Sequence, residues 1–221
     1  MNIKYAIFDF DGTLFDSMHI WDNVAKSYLR SLKIEPKPSL NEDVKTMSLY
    51  QSACFLKREY DLALCVEDII LGINNMVEHF YLYEVLPKSG VAEFLDELKT
   101  EGVSMCIATA TDRYLIESAL KRCELKEYFD MIFTCGEVGS GKDEPEIYRT
   151  AMEHFGARRS ETLVFEDAMY AIKTAKADGF LVVGVADESE KQQDKVRSLS
   201  DCYIESFENT EDFWKFVSPR F

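Results

Sequence analysis

The sequence predicts an α/β fold, a three-layer core with a parallel sheet, plus an inserted α-helical domain. Short apolar runs alternate with amphipathic helical periods along most of the chain, as expected of a parallel sheet covered by helices on both faces. Residues 16–86 break that rhythm and carry helical periodicity only. The chain has 221 residues, 47% of them hydrophobic and 13% aromatic, enough for one large core and a smaller inserted one.

Each element follows from its own pattern. Tyr5 to Phe10 is a short apolar run and reads as a buried strand. In the insert, Trp21, Val24, Ala25, Tyr28, Leu29 and Leu32 recur at i, i+3, i+4 and i+7, one face of a helix. Pro36 and Pro38 break the pattern, and Glu42 to Tyr60 shows it more weakly. Val66, Ile69, Ile70, Ile73, Met76, Val77, Phe80 and Tyr81 show it again. A return hinge is expected at Leu86 to Gly90. Residues 1–15 and 87–221 are therefore assigned to the core and residues 16–86 to the helical insert.

Beyond the hinge, Gly90 to Glu101 presents Val91, Phe94, Leu95 and Leu98 on one face, with Gly102 placed to end the helix. Val103 to Thr109 reads as the second strand. Tyr114 to Cys123 is the next helix and Met131 to Cys135 the third strand. Pro145 to Phe155 carries Ile147, Tyr148, Ala151 and Met152 inward and ends at Gly156. Thr162 to Phe165 is the fourth strand, Ala168 to Asp178 a helix ending at Gly179, and Phe180 to Ala186 the fifth strand. Residues 187–200 are polar and expected to be exposed. Ser206 to Val217, with Phe207, Phe213, Trp214 and Phe216, reads as a terminal helix packed on the core.

Composition narrows the function. Lys plus Arg is 25 against 40 Asp plus Glu, a formal charge of −15. Such a surface disfavours nonspecific binding to nucleic acid and to anionic membranes. An anionic substrate would need local positive charge or a metal to overcome it. No apolar run approaches the roughly 20 residues of a membrane span, and no secretory signal is visible. The six cysteines form no CxxC pair and read as buried, reduced thiols of a cytoplasmic protein. A monomer or weak dimer is the expectation, with no nucleic-acid or membrane partner.

In an open parallel sheet, ligands bind beyond the carboxyl ends of the strands. The first run ends in Asp9-Phe10-Asp11-Gly12-Thr13, the second in Thr109-Ala110-Thr111, and the fourth in Glu166-Asp167. The loop after the third holds Lys142. Read singly these are ordinary: Thr109 a cap, Lys142 a solvated charge, Glu166-Asp167 a helix start. Together they place carboxylates, a hydroxyl and a lysine on one rim. Clustered carboxylates repel unless a cation sits among them, and oxygen donors without His or Cys suit Mg²⁺. Lysine and hydroxyl donors beside such an ion suit phosphoryl oxygens. One carboxylate can attack phosphorus and form an aspartyl-phosphate. A second can give a proton to the leaving oxygen and take one from water.

Asp9-Phe10-Asp11-Gly12-Thr13-Leu14 resembles the DxDGT signature of the haloacid dehalogenase superfamily, and Asp16-Ser17 fits its usual DGTLxDS extension. Thr109 resembles the hydroxyl residue of the second motif, Lys142 the lysine of the third, and Glu166-Asp167 the acidic fourth. The helical insert is similar to the C1-type cap of subfamily I, which includes β-phosphoglucomutase-like and phosphoglycolate phosphatase-like enzymes. The resemblance implies a Rossmann-like core and a Mg²⁺-dependent phosphatase hydrolysing a small phosphomonoester, of the sugar phosphate or nucleotide class, through an aspartyl-phosphate. It implies that Asp9 is the nucleophile and a metal ligand, and that Asp11 is the general acid/base with its carbonyl on the metal. Asp167 would be the third protein ligand, and Glu166 a ligand through water or a partner of the ligands. Thr109, Lys142 and the backbone near Phe10 and Ala110 would hold phosphoryl oxygens.

The third motif departs from the family's usual Lys-Pro, since Asp143 and Glu144 follow Lys142. An acid at position 11 separates the chain from the dehalogenases. A β-phosphoglucomutase-like phosphotransferase is the alternative, although the insert lacks the Arg-Leu-Lys-Gly type of segment expected of one. A non-catalytic binding regulator is a further alternative. In the insert, His19 and Trp21 follow the first motif closely, and Lys57-Arg58 is the only adjacent basic pair. All four are candidates to contact substrate, the plainer reading of each being a structural or solvated side chain.

Overall fold

The computed structural model describes residues 3–44, 47 and 49–218, which divide into two units. One runs up to Asp16 and resumes at Val85, and the other is Ser17–Glu84. The first contains six parallel strands: β1 (Tyr5–Phe8), β2 (Ser104–Thr109), β3 (Met131–Thr134), β4 (Thr162–Glu166), β5 (Leu181–Val185) and β6 (Cys202–Ile204). Their order is β3-β2-β1-β4-β5-β6. The chain builds outward from β1 to β3, then returns to the other side of β1 for β4. That reversal is the switch point at which such sheets bind ligands.

Alternation along the strands makes the three layers. Ile7 of β1, Cys106 and Ala108 of β2, Val164 of β4 and Val182 of β5 pack with Ile147, Tyr148, Ala151, Ile172 and Ala175 from helices Glu146–His154 and Met169–Ala177. On the opposite face Phe8 stacks on Phe165 with centroids 4.2 Å apart. Phe94 of helix Val91–Thr100 meets Phe165 edge-on at 5.8 Å and Phe213 at 5.0 Å. Phe213 belongs to the terminal helix Glu211–Val217. Ala6, Ile7 and Phe8 are fully buried, which explains why β1 reads as a continuous apolar run rather than an alternating one.

The structure corrects several expectations. β6 is not among the five strands read from the sequence, because three residues are too few to show a period. The polar stretch 187–200 contains helix Gln193–Leu199, whose Val196 is fully buried in the core. One inward residue anchors so short a helix, and most of its other side chains are exposed. β3 ends at Thr134, whose side-chain oxygen accepts the Glu137 N–H at 3.2 Å and starts helix Cys135–Val138. All six cysteines are free, but Cys106 alone is buried and Cys65 is exposed. Cys65 Sγ accepts the Asp68 N–H at 3.3 Å, at the start of helix Val66–Tyr83.

The second unit consists of helices Met18–Ser31, Leu40–Val44, Leu49–Glu59 and Val66–Tyr83. The weak pattern of residues 42–60 thus resolves into two helices. Val24, Ala25, Tyr28 and Leu29 of the first are buried, as are Ile69, Ile73, Val77, Phe80 and Tyr81 of the last. Among the described residues, no helix is long and apolar enough to cross a membrane.

Candidate active site

Phe8 pairs with Phe165 in register, and the Asp9 N–H extends the pairing by donating to the Phe165 carbonyl at 3.0 Å. Asp9 and Glu166 therefore leave their strands at the same level. After Asp9 the backbone folds into a tight turn, in which the Leu14 and Phe15 N–H groups donate to the Phe10 carbonyl at 3.0 and 2.9 Å. Gly12 adopts φ 77° there, a left-handed conformation that costs glycine little. Phe10 stacks on Phe15 at 4.1 Å beneath the turn.

Beside this turn lies a cluster of buried charges. The Lys142 ammonium donates to Asp9 Oδ1 and, at 2.6 Å, to Glu166 Oε1. The Tyr148 hydroxyl donates to the same Glu166 oxygen at 2.7 Å. Asp167 Oδ1 accepts the Thr13 hydroxyl at 3.0 Å. Asp9, Glu166 and Asp167 each place a carboxylate oxygen within 4.8 Å of the others. Asp9, Lys142, Glu166 and Asp167 are all 6% exposed or less.

The electrostatics follow from that crowding. Burial pushes the Asp9 carboxyl up to about 6, against the pull of Lys142 and with a further push from Glu166. Asp167 is raised well above the carboxylate range by burial, then by Asp9, Glu166 and Asp187. Burial works against the Lys142 ammonium, but Asp9 and Glu166 outweigh it and keep the group protonated. Three carboxylates face one ammonium, which leaves two negative charges without compensation when all are ionised. Glu166 Oε2 is buried with no hydrogen-bond partner among the described residues. A hard divalent cation fits this donor set in charge and in chemistry.

Asp11 and Thr109 are both bonded by Thr111. The Thr111 hydroxyl donates to Asp11 Oδ2 at 2.6 Å, and its N–H donates to Thr109 Oγ1 at 3.1 Å. Thr109 is fully buried, whereas Ala110 is exposed just beyond β2. Asp143 and Glu144 are exposed, so the carboxylates that follow Lys142 in sequence are not the ones that hold it.

The four candidates in the insert belong to the helical unit. The His19 ring meets Phe80 edge-on at 4.9 Å, and Trp21 Nε1 donates to the Tyr81 hydroxyl at 3.0 Å. Lys57 is engaged within the helical unit. Its ammonium donates to the carbonyls of Leu62, at 3.2 Å, and Leu64, fastening the segment that follows its own helix. Arg58 is exposed. Residues that sequence reasoning passed over include Thr13, Lys88, Tyr148 and Asp187. Tyr148 carried a usable signal, because a tyrosine hydroxyl on a fully buried helix face needs a partner.

The sequence profile of the haloacid dehalogenase-like hydrolases matches residues 6–185. A phosphorylated carbohydrates phosphatase of Thermotoga maritima is 24% identical over 180 residues, covering 80% of this chain and 82% of that one. Validoxylamine A 7'-phosphate phosphatase of Streptomyces hygroscopicus subsp. limoneus is 27% identical over 235 residues, covering 98% and 99%. A solved structure from Thermotoga maritima, provisionally described as a beta-phosphoglucomutase, shares the fold with a TM-score of 0.84 at 21% identity, covering 98% of this chain and all of that one. The profile takes in every strand of the core but the last, together with the whole helical unit. The chain belongs to the haloacid dehalogenase-like hydrolase family.

Proposed function

We propose that the protein is a Mg²⁺-dependent phosphatase that hydrolyses a small phosphomonoester of the sugar phosphate or nucleotide class through an aspartyl-phosphate on Asp9. The observation that carries this reading is the buried group of Asp9, Glu166 and Asp167 with a single ammonium among them, two residues from a second acid. Both curated relatives described above are named as phosphatases of phosphorylated compounds.

An Asp9 carboxylate oxygen forms a bond to phosphorus as the ester O–P bond breaks, and Asp11 gives its proton to the departing oxygen. Water then attacks the same phosphorus, Asp11 takes the proton back, and phosphate leaves Asp9 as a free carboxylate. Lys142 keeps Asp9 aligned and, with Thr109 and the Ala110 N–H, receives phosphoryl oxygens. Asp9, Asp167, Glu166 and the Asp11 carbonyl would hold Mg²⁺, which when bound offsets phosphoryl charge. Proton transfer by Asp11 is worth about 10²–10⁴-fold. The remaining acceleration therefore falls to positioning and to preorganised charge.

Phosphate release from sugar phosphates, nucleotides and p-nitrophenyl phosphate, with Mg²⁺ and with EDTA, tests this directly. Mg²⁺-dependent release is expected, and the ranking of substrates would identify the leaving group preferred. Isomerisation of hexose 1-phosphate without net release would replace the hydrolase with a phosphotransferase. Neither reaction on any compound would replace it with a binding protein.

The cluster also predicts a stability effect that needs no substrate. Because the folded Asp9 and Asp167 hold protons more tightly than in the unfolded chain, the metal-free protein loses stability as pH rises, the Asp9 part between about 4 and about 6 and the Asp167 part adding to it in the same direction. Mg²⁺ should reverse that loss, so its effect on Tm should be larger at pH 8 than at pH 5. A hundredfold excess over Kd corresponds to about 2.7 kcal/mol, or roughly 5–10 °C for a chain of this size. Scanning calorimetry with Mg²⁺ and EDTA measures it, and a Tm indifferent to Mg²⁺ at pH 8 would remove the cation from this cluster.

A further inference from the structure

We propose that Lys88 is a positioning residue that pins the turn carrying Asp9 and Asp11 to the carboxyl end of β5. Its ammonium donates to the Gly12 carbonyl and, at 2.6 Å, to the Ala186 carbonyl, and it pairs with Asp187 Oδ2 at 2.9 Å. An ammonium has three N–H donors, and each has a partner here. The Lys88 side chain is 18% exposed and that of Asp187 is 7%, so solvent does little to replace these bonds.

Both ends of the pin are fixed. Asp187 Oδ1 accepts the Ser189 N–H at 3.0 Å and its hydroxyl at 2.6 Å, and the Ala186 N–H donates to the Ile204 carbonyl of β6 at 2.9 Å. At the other end the Lys88 N–H donates to the Leu14 carbonyl at 2.9 Å, and the Asp16 N–H donates to the Leu86 carbonyl at 3.0 Å. Gly12 is therefore held from outside the turn, at the residue between Asp11 and Thr13, and Thr13 in turn bonds Asp167. Shifting Gly12 would move Asp11 and the hydroxyl on Asp167 together. A displacement of about 1 Å in such a constellation can cost on the order of 10²-fold.

The catalytic part of this inference rests on the phosphatase reading, whereas the pin itself does not. Lys88→Met, Lys88→Arg and Asp187→Asn would be compared by amide hydrogen exchange across residues 9–16, by melting, and by kcat and KM. Lys88→Met should speed exchange at Gly12, Leu14 and Phe15 at least tenfold and lower kcat at least tenfold, with KM within threefold. Lys88→Arg should recover part of both. Asp187→Asn leaves the two carbonyl bonds in place and should keep kcat within about threefold. Should Lys88→Met be unfolded at the assay temperature, Lys88→Gln carries the same comparison. Unchanged exchange overturns the pin whatever the activity does. Faster exchange with unchanged kcat overturns its catalytic role. A wild type that exchanges slowly but releases no phosphate overturns the phosphatase reading and leaves exchange to decide the pin.

Discussion

Asp9→Asn is expected to lower phosphate release by about 10⁴-fold or more while the metal-free protein melts above the wild type at pH 8. The two halves have one cause. A carboxamide has nearly the shape of a carboxylate but cannot act as the anionic nucleophile, and removing a nucleophile that works as part of a unit forfeits most of that unit's effect. The same change removes one of three buried negative charges. With its carboxyl pushed up to about 6 from 3.8, ionised Asp9 costs the metal-free fold on the order of 3 kcal/mol at pH 8. The asparagine oxygen can still accept from Lys142, which also keeps Glu166. The gap in Tm should therefore shrink as pH falls from about 6 toward 4, as the folded wild-type carboxyl takes up its proton. Mg²⁺ should shift the variant's Tm less than the wild type's, since a ligand has gone. Phosphate assays paired with calorimetry in EDTA would check both halves. Turnover within tenfold of wild type would remove Asp9 as the nucleophile, and a fall in Tm at pH 8 would mean that the Lys142 contact outweighs the repulsion.

How legible this site was depends on where each part of its information lies. Asp9, Thr109 and Glu166-Asp167 stand where apolar runs stop, so the sheet carries them to one rim once the runs are read as parallel strands. Lys142 is in the loop after the third strand, which places it on the same rim but does not say which carboxylates hold it. Its actual partners, Asp9 and Glu166, lie 133 and 24 residues away. No local pattern records such pairings, and the two carboxylates that are local, Asp143 and Glu144, turn outward. Lys88 and Asp187 went unnoticed for the same reason. A lysine after a proline and an aspartate opening a polar stretch both look solvated until the strands bring positions 12, 88 and 187 together. Lys57 shows the same gap from the other side, since its sequence neighbourhood gives no sign that it serves two carbonyls a few residues downstream. β6 and the helix at Val196 escaped because three residues, or one buried side chain, give periodicity nothing to act on.

Lys142→Met should lose both activity and stability, and lowering the pH should return only the second. The ammonium is the cation that Asp9 and Glu166 share, at a position 4% exposed. Taking one partner from a buried pair typically costs about 3–5 kcal/mol, which is roughly 10–15 °C in Tm for a protein of this length. Lys142 pulls the Asp9 carboxyl down, so without it that carboxyl rises further above 6 and the folded state binds more protons than the unfolded one. Stability then falls as pH rises through the interval between the unfolded and folded values, and it returns as pH is lowered toward 5. Activity should not return with it, because a protonated Asp9 is a poor nucleophile and a methionine offers phosphoryl oxygens no donor. Mg²⁺ supplies positive charge to the same carboxylates and should recover part of the Tm at pH 8, again without turnover. Melting curves from pH 5 to 8.5 and phosphate release at each pH separate the effects. A variant as stable as wild type at pH 8 would show that the carboxylates do not depend on Lys142 for compensation. Activity that rose along with stability at low pH would show that Lys142 serves the fold alone, and the phosphoryl contacts would then have to be assigned to Thr109 and the backbone beside it.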